Sequence, residues 1–281
     1  MPFTEYFDER LDIKSTDKYE ISIQVSLDGF YYALFERSYR RVVLFRAHEP
    51  EGSRLFSLRD IDSFFREDQF LSKDYSRLSL MTPVNHFTLI PAPLYDPALK
   101  EEYYRLNCPG DESLCVMANS LPSSRVILVY AASRDICDLV SRHFPGDEPE
   151  HQLRHLIENL VNNRESPDTP LLHINAEHGF IDIVVITSGG ELKLCNSYPC
   201  SNRSDFIYYA LSAARSEGFP SDGMVRISGI TASYGDIARE LAPYFSDTAS
   251  STLCDNISLM EGCPDHIRER HTTLFSSFTC E

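Results

Sequence analysis

The sequence contains no apolar run approaching the roughly 20 residues that cross a bilayer, so membrane insertion is not expected. Its opening, MPFTEYFDERLDIKSTDKYE, is polar and acidic and lacks the basic-then-apolar order of a secretory leader. A cytoplasmic location is the expectation. Positive charge is scarce: 26 Lys and Arg stand against 42 Asp and Glu, for a net charge of −16. The densest basic groups, Arg37, Arg40 and Arg41, or Arg268 and Arg270, are short and read as solvated faces. No nucleic-acid or anionic-membrane partner is expected, because binding phosphate takes clustered Lys and Arg.

Metal-site spacing is missing as well. The eight cysteines (108, 115, 137, 195, 200, 254, 263 and 280) include no C-x-x-C pair. His151 and His155 could share a helix face, but Gln152 stands where H-E-x-x-H needs its Glu. Reduced, mostly buried thiols and no metal are expected. The Gly-Gly at 189–190 belongs to no phosphate-cradling pattern and reads as a hairpin turn. No G-x-S-x-G elbow offers a nucleophile. No catalytic residue is assigned.

The remaining composition is ordinary for a globular protein, with 42% hydrophobic and 24% charged residues in a chain of 281, enough for two lobes. Alternating apolar stretches predict strands over 19–27, 30–36 and 41–47. A helix follows over 56–68 with Ser57 as cap, then strands at 77–82 and 86–95. DPALKEEYYRL (96–106) reads as a helix capped by Asp96 with Pro97 at its first position. Strands at 113–120 and 125–132 precede helices at 133–144 and 151–163, the latter with one apolar face. The Pro- and acid-rich RESPDTP (164–170) is the connector. Residues 171–199 then repeat the opening as a second three-strand meander. A helix over 204–218 capped by Ser204, a strand at 225–230 and a helix at 234–245 complete the pattern. The aromatics of FIYYAL (206–211) are read as core packing. Such duplication predicts an α/β fold with mixed sheets covered by helices, built twice. The first lobe is expected over 16–163 and the second over 171–250, with flexible or docking tails at 1–15 and 251–281.

That order, with RVILVYAA leading into SRDICDLVSRHF and LLHINAEHGFIDIVVI opening the second half, resembles the actin-like ATPase superfamily of ribonuclease H-like fold. It resembles in shape the pilus-assembly and septum branch of the bacterial actin homologues. TDKYEISIQVSLDGFYYALF, HFTLIPAPLYDPALKEEYYRLN and CNSYPCSNRSDFIYYAL are similar to the bacterial domain-of-unknown-function family 3822, over about residues 16–245. The resemblance implies an actin-like fold and names no activity.

In that superfamily the first phosphate loop reads apolar-Asp-apolar-Gly, where Gly admits the phosphate and Asp positions a metal or its waters. Here Val25-Ser26-Leu27-Asp28 puts Ser26 in the place of the Asp and Asp28 in that of the Gly. A carboxylate about 4 Å from a phosphate charge opposes it by about 4 kcal/mol at an effective dielectric of about 20. Sliding to Gly29 inverts the pleat. In the second lobe His173 stands for the Asp and Asn175 for the Gly, with Glu177 close behind and Asp182 beyond the turn. His173, Glu177 and His178 could form an acid/base or metal cluster if the strands twist them together, but a strand puts 173 and 178 on opposite faces unless the turn intervenes, and polar rim residues are the plainer reading. Gly229, in ISGI, resembles the turn that supports adenine, or is a plain turn.

The candidate cleft is therefore Ser26, Asp28, Gly29, His173, Asn175, Glu177 and Gly229, with the turns near 26–30 and 175–179 facing each other. Gly229 should lie at its edge and helix 151–163 near the lobe junction. The expectation is a pseudoenzyme with a degenerate nucleotide site, no cofactor and an unidentified protein partner, acting as an adaptor or scaffold. The alternative is a kinase or ATPase that binds ATP and Mg through Asp28, Asp182 or His173.

Overall fold

The computed structural model describes residues 3–52 and 54–279. In chain order the first half forms β1 (Thr4–Phe7), β2 (Tyr19–Val25), β3 (Phe30–Glu36), β4 (Arg41–His48), α1 (Leu58–Glu67), β5 (Arg77–Thr82), β6 (Phe87–Pro91) and α2 (Lys100–Asn107). It continues with β7 (Leu114–Leu121), β8 (Val126–Ser133), α3 (Arg134–His143), β9 (Glu150–His151) and α4 (Leu153–Asn162). The second half contributes β10 (Leu171–Glu177), β11 (Phe180–Ile186), β12 (Leu192–Pro199), α5 (Arg203–Ser216) and β13 (Met224–Gly229). It ends with α6 (Ile237–Leu241), β14 (Asp247–Ser250), α7 (His266–Arg270) and α8 (Thr272–Ser276).

The duplication is visible strand by strand. The first sheet runs β1-β4-β3-β2-β5-β9 and the second β12-β11-β10-β13-β14. In each, an antiparallel meander is extended by two parallel strands, β5 and β9 in one and β13 and β14 in the other. The two meanders lie in separate sheets. Period-two alternation sends Tyr19, Ile21, Ile23 and Val25 to one face of the first sheet, where they pack under α1 and α3. A capping box starts α1: the Ser57 hydroxyl accepts from Asp60 N, and the Asp60 carboxylate accepts from Ser57 N at 2.8 Å. Likewise Leu172, Ile174 and Ala176 pack with Ile181, Ile183 and Val185 beneath α5 and α6. The cap of α5 is Asn202, whose side chain accepts from Asp205 N, and not Ser204, which lies inside the first turn.

Two features go beyond the sequence expectation. β6, β8 and β7 form a third sheet of their own, covered by Tyr104 of α2 on one face and by Leu153, Leu156 and Ile157 of α4 on the other. The end segments are built into the fold. β1 pairs with β4 as an edge strand, and α8 covers the second face of the first sheet, with Leu274 and Phe275 at 0% exposure among Tyr31, Ala33 and Phe45. Phe278 stacks on Phe35 with ring centroids 4.8 Å apart. Four-residue strands and five-residue helices are too short to display a period; of the two readings of 1–15 and 251–281, flexible or docking, the described residues are docked.

α4 and α8 meet where the lobes join. α4 also packs on Leu171, Val184, Ile186 and Met224 of the second sheet. From α8 the Leu274 carbonyl accepts from Ser22 Oγ at 3.0 Å, and Thr273 Oγ1 donates to Gln24 Oε1 at 3.3 Å.

Candidate functional site

The first hairpin turn is closed on itself. Ser26 N donates to Gly29 O at 3.0 Å, and Ser26 Oγ donates to the same carbonyl at 3.0 Å and to the Asp28 carboxylate. Leu27 O accepts from Phe56 N at 2.7 Å, tying the tip to the loop before α1. Gly29 is required by its neighbour: a Cβ there would fall 2.5 Å from ring carbons of Tyr31.

In the second lobe, pleating turns His173, Asn175 and Glu177 to one face of β10, all three buried. Cross-strand register then assembles a row, Ser197 on β12, Asp182 on β11, Asn175 on β10 and Ser228 on β13. Asp182, placed beyond the turn by its distance along the chain, is thus the direct neighbour of Asn175. Ser228 Oγ donates to Asn175 Oδ1 at 2.8 Å, Asn175 Nδ2 donates to Glu177 Oε1 at 3.0 Å, and Ser197 Oγ donates to Asp182. His173 Nε2 lies 3.2 Å from Ser251 Oγ and 3.4 Å from Ser228 Oγ.

The first lobe closes onto this row. Gln152, held by Val84 through bonds of 2.9 and 3.1 Å, donates to Asp182 Oδ2 at 3.2 Å. Gln24 hydrogen-bonds Glu177, and the charge of Asp28 acts on the same carboxyl. The two first hairpins therefore meet, in a seam that reaches from Thr273 through Gln24, Glu177 and Asn175 to Ser228. Gln24, Ser197 and Thr273 carry no motif in the sequence, Ser228 stands in ISGI only as the neighbour of Gly229, and Gln152 marks only a broken H-E-x-x-H. Only the likeness of His173, Asn175 and Glu177 in position to a phosphate loop pointed to this strand.

Burial governs the electrostatics. Desolvation, then the neighbouring Asp182 carboxyl, pushes Glu177 up to about 8 against hydrogen bonds from Asn175 and Gln24. Desolvation raises Asp182 to about 7, opposed by Ser197, Gln152 and Asn175. Burial, then Arg226, lowers the His173 imidazole to about 3. At pH 7 the Glu177 carboxyl is mostly protonated and Asp182 about half so. His173 and Glu177 are buried walls and not rim residues, while His178 is exposed at the turn, so the three do not converge.

Gly229 is buried and adopts φ +88°. Its backbone lies against β10, where a Cβ would stand 2.7 Å from Ala176 N and closer to the Ala176 carbonyl. That carbonyl accepts from Ile230 N at 2.8 Å. The glycine serves strand packing at the end of β13. Among the described residues no three His, Cys, Asp or Glu side chains form a metal-binding group, and no helix is long and apolar enough to cross a membrane. Cys108, Cys115, Cys137, Cys195, Cys200, Cys254 and Cys263 are free thiols, and Cys280 lies outside the described residues.

Comparison with known proteins gives the geometry a context. A family model described as "Protein of unknown function (DUF3822)" matches residues 8–247. A Bacteroides thetaiotaomicron protein with actin-like ATPase fold and unknown function superposes with a TM-score of 0.81 at 22% identity, over 96% of this chain and 99% of that one. The PilM–PilN type IV pilus biogenesis complex matches with a TM-score of 0.55 at 11% identity, covering 92% and 96% of the two chains. No curated protein matches. The fold is actin-like.

Proposed function

The chain belongs to the DUF3822 family of proteins of unknown function, and from that premise we propose a non-catalytic interaction module, an adaptor or scaffold whose interlobe site has lost nucleotide chemistry. One observation carries this reading: where the two first hairpins meet, the polar side chains hydrogen-bond one another around two carboxyls whose pKa values burial raises toward neutrality. A magnesium nucleotide needs ionised oxygen ligands for its metal and free donors for its phosphates. Asp182 is engaged by Gln152 and Ser197, and Asp28 by Ser26. His173 lies against Ser251 and Ser228. The kinase or ATPase alternative thus finds both of its carboxylates engaged and one ring nitrogen of His173 against two serine hydroxyls.

A protein partner is favoured by the acidic charge, which disfavours polyanions. It is also favoured by the pilus-biogenesis neighbour, which was solved as a complex. Affinity capture of the tagged chain from its native host, with and without Mg-ATP, tests the proposal. A stoichiometric protein retained in both conditions is expected. ATP hydrolysis by the purified chain that disappears in Asp182→Asn would overturn it.

A further inference from the structure

Positive charge, scarce in the chain, outweighs negative charge on the wall of one cavity. At the end of the first sheet remote from the hairpin tips, about 530 Å³ opens between the β3–β4 turn, the start of β5, the end of β7 and α4. That size is ordinary for a small-molecule site. Arg40 from the turn, Arg77 from β5 and Arg154 from α4 line it, against one carboxylate, Glu158. Arg40 is exposed, and the Arg77 and Arg154 side chains are 33% and 36% exposed, so all three are open to a solute. Among the described residues Pro122 is the only apolar one on the wall; hydroxyl, amide and imidazole groups make up the rest.

The charges just outside the wall do not cancel this excess. Glu158 accepts from Ser123 N at 3.3 and 3.4 Å and from Ser123 Oγ at 2.7 Å. Arg154 pairs with Glu150, which also lies 2.7 Å from His155 Nε2. Arg77 stands 3.8 Å from Glu20, itself bonded by Arg37, and Arg40 Nε donates to the Asn256 carbonyl at 3.4 Å. Four guanidiniums thus face three carboxylates in a chain of net charge −16. Burial, then the charges of Arg154 and Arg77, lowers the His155 imidazole to about 3, so both guanidiniums act on one wall of the cavity. A guanidinium carries five N–H donors and can hold a carboxylate on one edge and an oxyanion on another.

A compact anion balances this wall. A phosphate monoester carries close to two negative charges near neutral pH and has three terminal oxygens for guanidiniums arriving from three elements. A carboxylate offers two coplanar oxygens and suits one fork. An extended polyanion is repelled by the chain's net charge, and a nucleotide finds only Pro122 to lie against its base. We infer a binding site for a sugar phosphate, its phosphate held by Arg40, Arg77 and Arg154 and its hydroxyls by Ser120, Asn163 and Asn256. Glu177 and Asp182 are not on its wall, and the site stands independently of the seam.

Isothermal titration calorimetry of the full chain at low salt tests the site with glucose 6-phosphate and glycerol 3-phosphate, against glucose, citrate and Mg-ATP. At least one ester is expected to bind with a submillimolar dissociation constant that weakens as salt is added. Glucose and Mg-ATP should give heats of dilution alone. Arg40→Asn suits the left-handed φ of 48° there and should weaken ester binding about tenfold, the worth of one charge-assisted hydrogen bond. Glu158→Gln, which takes away the opposing carboxylate, should tighten it, and Asp182→Asn should leave it unchanged. The assignment would be overturned by two inert esters, or by glucose or Mg-ATP binding as well as an ester. Citrate binding tighter than both esters would also overturn it. So would undiminished affinity in Arg40→Asn, weakened affinity in Glu158→Gln or lost affinity in Asp182→Asn.

Discussion

Glu177 and Asp182 are the residues on which the seam turns, and they make it pH-dependent. Their carboxyls are raised to about 8 and about 7, against about 4 in an unfolded chain. Between about pH 4 and 8 the folded state therefore holds more protons than the unfolded one, and these groups lower stability as pH rises. Five buried histidines act in the other direction. His48 is lowered to about 4, and His151, His155, His173 and His271 to about 3, each mainly by burial. The unfolded chain binds protons there below about pH 6.5, so stability falls on acidification from that point. Stability should peak near pH 6.5 and decline toward pH 8, by at most about 1.4 kcal/mol per pH unit and carboxyl. Urea unfolding across pH 5–9 measures this. Glu177→Gln with Asp182→Asn should flatten the alkaline limb, whereas stability that climbs from pH 6.5 to 8 would refute the neutral seam. Gly229 offers a separate check at this scale. Gly229→Ala sets a Cβ against the Ala176 backbone at a left-handed φ and should cost about 3 kcal/mol or more in the same assay. A loss under about 1 kcal/mol would show that β13 has room to move away from β10.

At the scale of elements, α8 does more than its five residues suggest. It fills the second face of the first sheet with Leu274 and Phe275 and reaches the lobe junction through Thr273. Phe275→Ala should cost about 3–5 kcal/mol by thermal or chemical unfolding, as for other fully buried phenylalanines. A near-neutral outcome would mean that the segment after β14 is dispensable to the first lobe. This helix also marks where sequence reading stopped. Both meanders, the Ser57 cap and the apolar face of α4 were legible because strands of seven residues and helices of ten display their periods. A five-residue helix and a four-residue edge strand cannot. The site divides in the same way. The resemblance to a phosphate loop named His173, Asn175 and Glu177, and the pleat of β10 sets them on one buried face. Asp182 joined them only through antiparallel register, and Gln24, Gln152 and Thr273 only through the docking of one lobe on the other.

For the molecule as a whole, two sheets of the same strand order are closed against each other at the tips of their first hairpins. The contact is polar and hydrogen-bonded across the lobes, and burial raises its Glu177 and Asp182 carboxyls toward neutrality. Opening it would expose Glu177 and Asp182 to water and to ionisation, and a phosphate entering it would face the carboxyl of Asp28 beside them. On the reading proposed above, this actin-like fold has lost nucleotide chemistry at its interlobe contact. Isothermal titration calorimetry of the purified chain with ATP, ADP and GTP in the presence of magnesium tests this most directly. Heats of dilution alone, up to millimolar nucleotide, are the predicted result. A micromolar dissociation constant that is lost in Asp182→Asn would contradict it.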